Sequence, residues 1–285
     1  MRLGILSDIH GNDIALKKCL SYLRERRVDA YCLLGDYVGE LPGIRNTMDM
    51  IYQLMEKERC YMIRGNKEEY QMSSLVDEHP EWNAFPSTIG MLRYGKQQLN
   101  ERDLDFIKKL PMHRTVKIEG MPELMLCHGS PRKIREDLYV NNEQNKEIFR
   151  DVHQTYIVCG HTHRVSCFEE YGKIVINPGS VGLPLNGTTG AQFMILHGKE
   201  EGWEPEFITI PYDVNEVIHK MEKENLYEMA PYWTRITECI LRGVNISHGS
   251  LLEEAMELCS QKHGSCQWPM VPEECWKEVY ERIQH

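Results

Sequence analysis

The chain is 285 residues long, 41% hydrophobic and 27% charged, with a formal net charge of -10 at neutral pH. That length supports one large core with a smaller appendage, and the acidic balance argues against a protein that coats long nucleic acid or an anionic membrane. No apolar run approaches the roughly 18 residues of a bilayer span, and the start MRLGILSD carries no secretory leader, so a cytoplasmic protein is expected.

Five apolar runs each end abruptly in a polar cluster: LGILSDIH (3–10), AYCLLGD (30–36), CYMIRGN (60–66), ELMLCHG (123–129) and TYIVCGH (155–161). Such runs suit strands buried on both faces. Between the first three, NDIALKKCLSYLRERR (12–27) and RNTMDMIYQLMEKE (45–58) gather their apolar residues on one helical stripe. Strand–helix alternation predicts parallel strands with crossover helices. Next come Pro80, Trp82, Phe85 and Pro86, a helix near 87–98, and a second helix within LNERDLDFIKKLP, with Asn100 as N-cap and Pro111 as the stop. This 70–115 segment is expected either to overhang a site or to form an ordinary surface helix pair.

TVKIEG (115–120), ELMLCH (123–128), KIVINP (173–178), AQFMILHG (191–198) and EFITIPY (206–212) predict a second sheet packed on the first. DVNEVIHKMEKENL (213–226), SLLEEAMELCSQKHG (250–264) and PEECWKEVYERIQ (272–284) predict helices. The expected architecture is α/β: a four-layer α-β-β-α sandwich of two mixed sheets flanked by helices over 1–212, with a C-terminal helical appendage over 213–285. Trp268 and Trp276 are expected to anchor that appendage, which offers a surface for a protein partner or a second copy.

In open α/β sheets, ligands bind outside the carboxyl ends of the strands. Asp8 and His10, Asp36, Asn66, His128, and His161 and His163 all fall at such ends. An isolated H-x-H is usually a polar turn, but five ends bearing metal-compatible groups point to a metal cluster. Imidazole and carboxylate suit Zn, Fe, Mn, Co or Ni. The ten cysteines include no C-x-x-C pair, and a reduced protein is expected. Cys127 and Cys159 adjoin His128 and the GHTH stretch, but strand alternation turns them to the opposite face, into the core. His113, His153, His197, His219, His248, His263 and His285 have no companion ligand near in sequence and are left out of the site.

In this order, D-x-H, GDYVG, GN-x-E, HGS and GHTH resemble the calcineurin-like metallophosphoesterases over residues 1–212. DIHGN (8–12) and NPGSVG (177–182) look most like the small bacterial and archaeal phosphodiesterase and phosphatase members. The resemblance implies one metal ion on Asp8, His10, Asp36 and His163, and another on Asp36, Asn66, His128 and His161, with Asp36 bridging. It further implies two divalent or transition-metal ions (Mn, Fe, Zn or Ni). A hydroxide between them would attack the phosphorus of a small phosphomonoester or phosphodiester.

Many members follow GN with a histidine proposed to protonate the leaving group; here Lys67 stands in its place. A lysine pKa near 10.4 matches that task poorly. Lys67 is therefore expected to act as an acid tuned by the cations or as a fixed charge on the phosphate, or else to point to solvent or pair with Glu68 or Glu69. Lys67, Asn66 and His128 are assigned to catalysis, and Asn12 and Arg64 to substrate binding. Asn12 equally suits the cap of the first helix, Arg64 the surface, and Asn177 with Gly179 a turn that supports the metal loops. The family also contains a retromer subunit that keeps the fold as a scaffold, so an inactive interaction protein is the alternative function. A Ser/Thr-type protein phosphatase ranks below both.

Overall fold

β1 (Arg2–Leu6), α1 (Asp13–Glu25), β2 (Ala30–Leu33), α2 (Ile44–Lys57) and β3 (Cys60–Met62) open the chain as the alternation predicts, with all three strands parallel. The computed structural model describes residues 1–73, 75–199 and 201–284; His285 lies outside them. α3 (Asn66–Met72), α4 (Leu75–Glu78), a 3-10 turn (Pro80–Ala84), α5 (Pro86–Gln98) and α6 (Glu101–Lys109) follow. Asn100 caps α6 as expected: its Oδ1 accepts the Asp103 N–H at 3.0 Å, and the Asp103 carboxylate accepts the Asn100 N–H at 2.9 Å.

The second half supplies β4 (His113–Val116), β5 (Leu124–Cys127), α7 (Asn145–Ile148), β6 (Tyr156–Val158), β7 (Val165–Glu170), β8 (Lys173–Pro178), β9 (Ala191–Lys199) and β10 (Gly202–Ile210). β7 has no counterpart among the predicted strands. The expectation that β9 and β10 belong to the second sheet is corrected. They form a hairpin that joins the first sheet, β9 running antiparallel to β1 with Leu3 opposite Leu196. The two five-stranded sheets read β10-β9-β1-β2-β3 and β4-β5-β6-β8-β7, both mixed.

Alternation along the strands builds three apolar layers. Leu3, Ile5 and Cys32 meet Leu126, Val158 and Ile176 between the sheets. Leu33, Phe193 and Ile195 turn outward onto Leu16, Leu20 and Leu23 of α1. Cys127 and Cys159 lie on the outer face of the second sheet with Ile148 and Phe149. This is the four-layer arrangement expected, with a short helix and loops as the layer over the second sheet.

α8 (Val214–Lys223), α9 (Leu226–Met229), α10 (Pro231–Leu241), α11 (His248–His263) and α12 (Glu273–Arg282) complete the chain. Met221, Leu226, Ile236, Leu251 and Trp276 share one apolar cluster with Leu16, Ile44, Met48 and Tyr94. Trp276 is fully buried, and its indole N–H donates to Thr88 Oγ1 at 3.0 Å. Trp268 is 38% exposed, so Trp276 alone of the pair is a buried anchor. α5 comes so close to α9 that a Cβ on Gly90 would sit 2.0 Å from the Met229 carbonyl oxygen. No helix among the described residues is long and apolar enough to cross a membrane.

Trp276→Ala is expected to destabilise the protein by about 3–5 kcal/mol, the range for emptying a core aromatic site. Because the cluster is shared, urea unfolding followed by far-UV circular dichroism and by tryptophan fluorescence should shift as one transition.

Candidate metal centre

Five of the seven ligands selected from the sequence stand in left-handed backbone: φ is +54° at Asp8 and His10, +52° at Asp36, +67° at His161 and +54° at His163. Side chains other than glycine rarely adopt this region, at a cost of about 1–3 kcal/mol each. The chain needs close approaches here as well. A Cβ on Gly65 would lie 2.1 Å from Asp36 Oδ1, and one on Gly160 2.0 Å from Ser7 Oγ.

Buried polar groups brace these loops. The Glu68 carboxylate accepts the N–H groups of Gly65 at 2.7 Å and of Asp36 and Tyr37 at 2.8 Å, tying GDYVG to GN. Asn177 donates from Nδ2 to the Gly160 carbonyl at 2.7 Å and to Thr162 Oγ1 at 3.1 Å, and accepts the Gly179 N–H at 2.9 Å. Ser180 Oγ donates to the Asp8 carbonyl at 2.8 Å.

The side chains so held converge. Asp8 Oδ1 is 3.2 Å from His163 Nε2 and 3.8 Å from His10 Nε2. Asp36 spans the cluster, Oδ2 lying 3.6 Å from His10 Nε2 and Oδ1 3.5 Å from His128 Nε2. His128 Nε2 is 3.0 Å from Asn66 Oδ1, and the His161 ring lies 5.1 Å from that of His128. The ligand atoms of Asp8, His10 and His163 all lie within 4.8 Å of one another, as do those of Asp8, Asp36 and His128. Asp8 is common to both sets, and Asp36 belongs to the second.

The hydrogen bonds test whether cations belong here. His128 Nδ1 lies 2.8 Å from the Leu34 carbonyl oxygen and His163 Nδ1 2.6 Å from that of Leu183. His10 Nδ1 is 2.6 Å from Glu40 Oε2. Each ring's proton is therefore assigned to Nδ1, which leaves a lone pair on Nε2. With both rings neutral, His10 Nε2 and His163 Nε2 would face each other at 3.0 Å as two acceptors. Asp8 Oδ1 is buried without a hydrogen-bond partner, and the 2.6 Å approach of His10 Nδ1 to Glu40 Oε2 is an ion-pair contact without hydrogen-bond geometry. Acceptors packed against acceptors fit positive ions.

The field agrees. Burial alone would lower the His10 pKa, but Glu40, Asp8 and Asp36 outweigh it and raise it to about 10. Against the same effect of burial, Asp36 and Asp8 raise His128 to about 9. Burial would raise Asp8, yet His163, His10 and His128 hold it well below the usual carboxylate range. His161, set toward the rim beside Asp137, is lowered by burial and by His128 to about 4.

All seven sequence-selected ligands meet in one place, but the two residues assigned to substrate do not reach it. Asn12 caps α1, its Oδ1 accepting the Ala15 N–H at 3.0 Å and its Nδ2 donating to the Gly182 carbonyl at 3.2 Å. Arg64 donates to the Leu110 carbonyl at 3.1 Å and lies 3.5 Å from Glu69. Neither lines the cavity. Lys67 does line it, and its ammonium pairs with Glu40 rather than with Glu68 or Glu69.

Sequence reasoning missed Glu40 and His248, which border the same cavity of about 300 Å³. Of the two roles expected for 70–115, no residue of that segment is among those lining the cavity, whereas Ser247, His248 and Gly249 are. The GDYVGE stretch held the one available signal for Glu40, an acid four residues beyond Asp36.

Buried carboxylates and imidazoles gathered at the strand ends of two stacked mixed sheets define a metallophosphoesterase-type α/β protein. The model of the calcineurin-like phosphoesterase superfamily domain matches residues 1–201, and the chain belongs to that superfamily. It is 25% identical over 241 residues to protein MJ0912 of Methanocaldococcus jannaschii, covering 79% of this chain and 94% of the relative. Its fold is similar to that of protein PH1004 from Pyrococcus horikoshii OT3, with a TM-score of 0.70 and 21% identity over 81% of this chain and 97% of the other. It is also similar to a metallophosphoesterase from Sphaerobacter thermophilus, with a TM-score of 0.66 and 24% identity over 85% and 98% of the two chains.

Gly65→Ala drives a methyl group into the Asp36 carboxylate. It is expected to lower bound metal, read by elemental analysis, and to cut any metal-dependent activity by about 100-fold, the scale of an ångström-sized misplacement. Far-UV circular dichroism should stay unchanged.

Proposed function

We propose that the protein is a dinuclear-metal phosphoesterase that hydrolyses a small phosphomonoester or phosphodiester. The observation that carries this reading is the confrontation of lone pairs at His10, His163 and Asp8 inside the cavity. One ion would be held by Asp8, His10, Asp36 and His163, the other by Asp36, Asn66, His128 and His161. When bound, such ions supply Lewis acidity toward phosphoryl oxygens and bring the pKa of water to about 7. Imidazole, carboxylate and amide donors without thiolate favour Mn, Fe, Zn or Ni.

The chain's own residues account for the rest. With the imidazoles neutral, Asp8, Asp36, Glu40 and Asp137 outnumber Lys67 and Arg164 around the cavity, so a phosphate dianion would be repelled there unless cations reversed the field. Asp36 accepts the Lys67 backbone N–H at 2.8 Å, which ties the ligand loop to the residue that takes the usual histidine's place. Burial would lower the Lys67 pKa, but Glu40 and Asp36 outweigh it and raise it. The ammonium therefore stays charged at neutral pH and acts as a fixed counter-charge for the substrate, not as a proton donor. Without a residue that readily protonates the leaving group, turnover should rise with the acidity of the alcohol among esters that are otherwise bound alike.

Protein dialysed against EDTA should be silent toward p-nitrophenyl phosphate and its bis ester, and added Mn²⁺, Ni²⁺ or Zn²⁺ should restore turnover. Asp36→Asn should lower the restored rate by more than the roughly 10–100-fold typical of losing a residue that only supports a ligand. Folded, metal-loaded protein with no turnover, together with activity appearing in Lys67→His, would instead favour a scaffold.

A further inference from the structure

Part of the cavity wall lies beyond the segment that the family model matches. His248, the first residue of α11, lines the cavity with its imidazole fixed on two sides. The ring stacks on Trp233, with centroids 4.5 Å apart and planes 21° from parallel. Its Nε2 lies 2.8 Å from Thr237 Oγ1 and 3.3 Å from the Trp233 carbonyl oxygen. The Thr237 hydroxyl already donates to that carbonyl at 2.9 Å, so its oxygen is left to accept. The imidazole proton therefore sits on Nε2, and Nδ1 carries a lone pair. Burial lowers the His248 pKa to about 3, helped by Lys67 and His10 against the pull of Glu40, so the ring is neutral.

No described residue hydrogen-bonds His248 Nδ1, and it is not among the buried atoms left unpartnered, so it is an accessible acceptor on a ring that lines the cavity. The Lys67 ammonium lies 5.8 Å from the centre of the same Trp233 ring. An acceptor and a fixed cation thus flank one indole. A phosphate oxygen brings only lone pairs, which Nδ1 repels; a hydroxyl brings the proton that Nδ1 lacks. Leu183 and Leu185 in the same cavity offer apolar surface to a carbon skeleton.

We propose that His248 is a specificity-determining residue whose Nδ1 accepts a hydrogen bond from a hydroxyl on the alcohol part of the substrate, which makes the preferred substrate class polyol or sugar phosphates. The proposal rests on the phosphoesterase reading and adds the chemistry of the leaving alcohol.

The test compares size-matched esters on Mn²⁺-loaded full-length protein: glycerol 1-phosphate against n-propyl phosphate, and glucose 6-phosphate against cyclohexylmethyl phosphate. The readout is kcat/KM where turnover occurs and Kd by calorimetry where it does not, so loss of the phosphoesterase reading and loss of this one are separate results. The wild-type protein should favour at least one hydroxylated ester over its match by roughly 5- to 10-fold, the scale of one net hydrogen bond. His248→Ala should reduce that ratio to under about twofold, with the larger loss on the hydroxylated ester. His248→Asn keeps an acceptor near the Nδ1 position and should retain part of the preference. Equal use of both members of each pair by the wild-type protein, or a ratio that survives His248→Ala, overturns the proposal.

Discussion

Groups that repel one another are held together at the centre of this molecule. Asp8 is fully buried and His10 nearly so, and the facing nitrogens of His10 and His163 stand 3.0 Å apart. Left to themselves, these acceptors would separate or take up protons. The fold prevents separation by ending strands in left-handed residues and by fastening the loops with buried hydrogen bonds. Glu68 gathers four backbone N–H groups, and Asn177 and Ser180 secure the GHTH turn and the Asp8 loop. Backbone strain of about 1–3 kcal/mol per residue is tolerated because cores on both faces of each sheet hold the strands in register.

The C-terminal helices contribute to that rigidity and to the site. They pack on α5, with Trp276 reaching Thr88 through the apolar cluster. The same helices carry His248, stacked on Trp233, to the cavity. Packing and recognition therefore draw on one segment, and the cavity is complete only with residues far along the chain from the last motif.

How much of this was legible depended on whether the signal was local. The strand ends were, because a short apolar run that stops at Asp, Asn or His marks both an element and its exit point. The α6 cap at Asn100 and Asp103 was legible for the same reason. α10 was not: PYWTRITECIL is rich in aromatic and β-branched residues, which weaken the helical signal, and tertiary packing makes it a helix. β9 and β10 were recognised as strands but assigned to the wrong sheet, since pairing partner is a property of topology rather than of local pattern. His248 lies 85 residues beyond His163 with no companion nearby. Only the folded arrangement of α10 and α11 brings it to the ligands.

Glu40 carries a consequence beyond its own position. One buried carboxylate touches His10 with one oxygen and Lys67 with the other. The imidazole and the ammonium never meet, yet each depends on the same counter-ion. Their energetic contributions are therefore not independent, and changes at the two positions will fail to sum. Removing either leaves Glu40 wholly to its neighbour, so the His10 side and the Lys67 side of the cavity are thermodynamically coupled through a residue that belongs to neither.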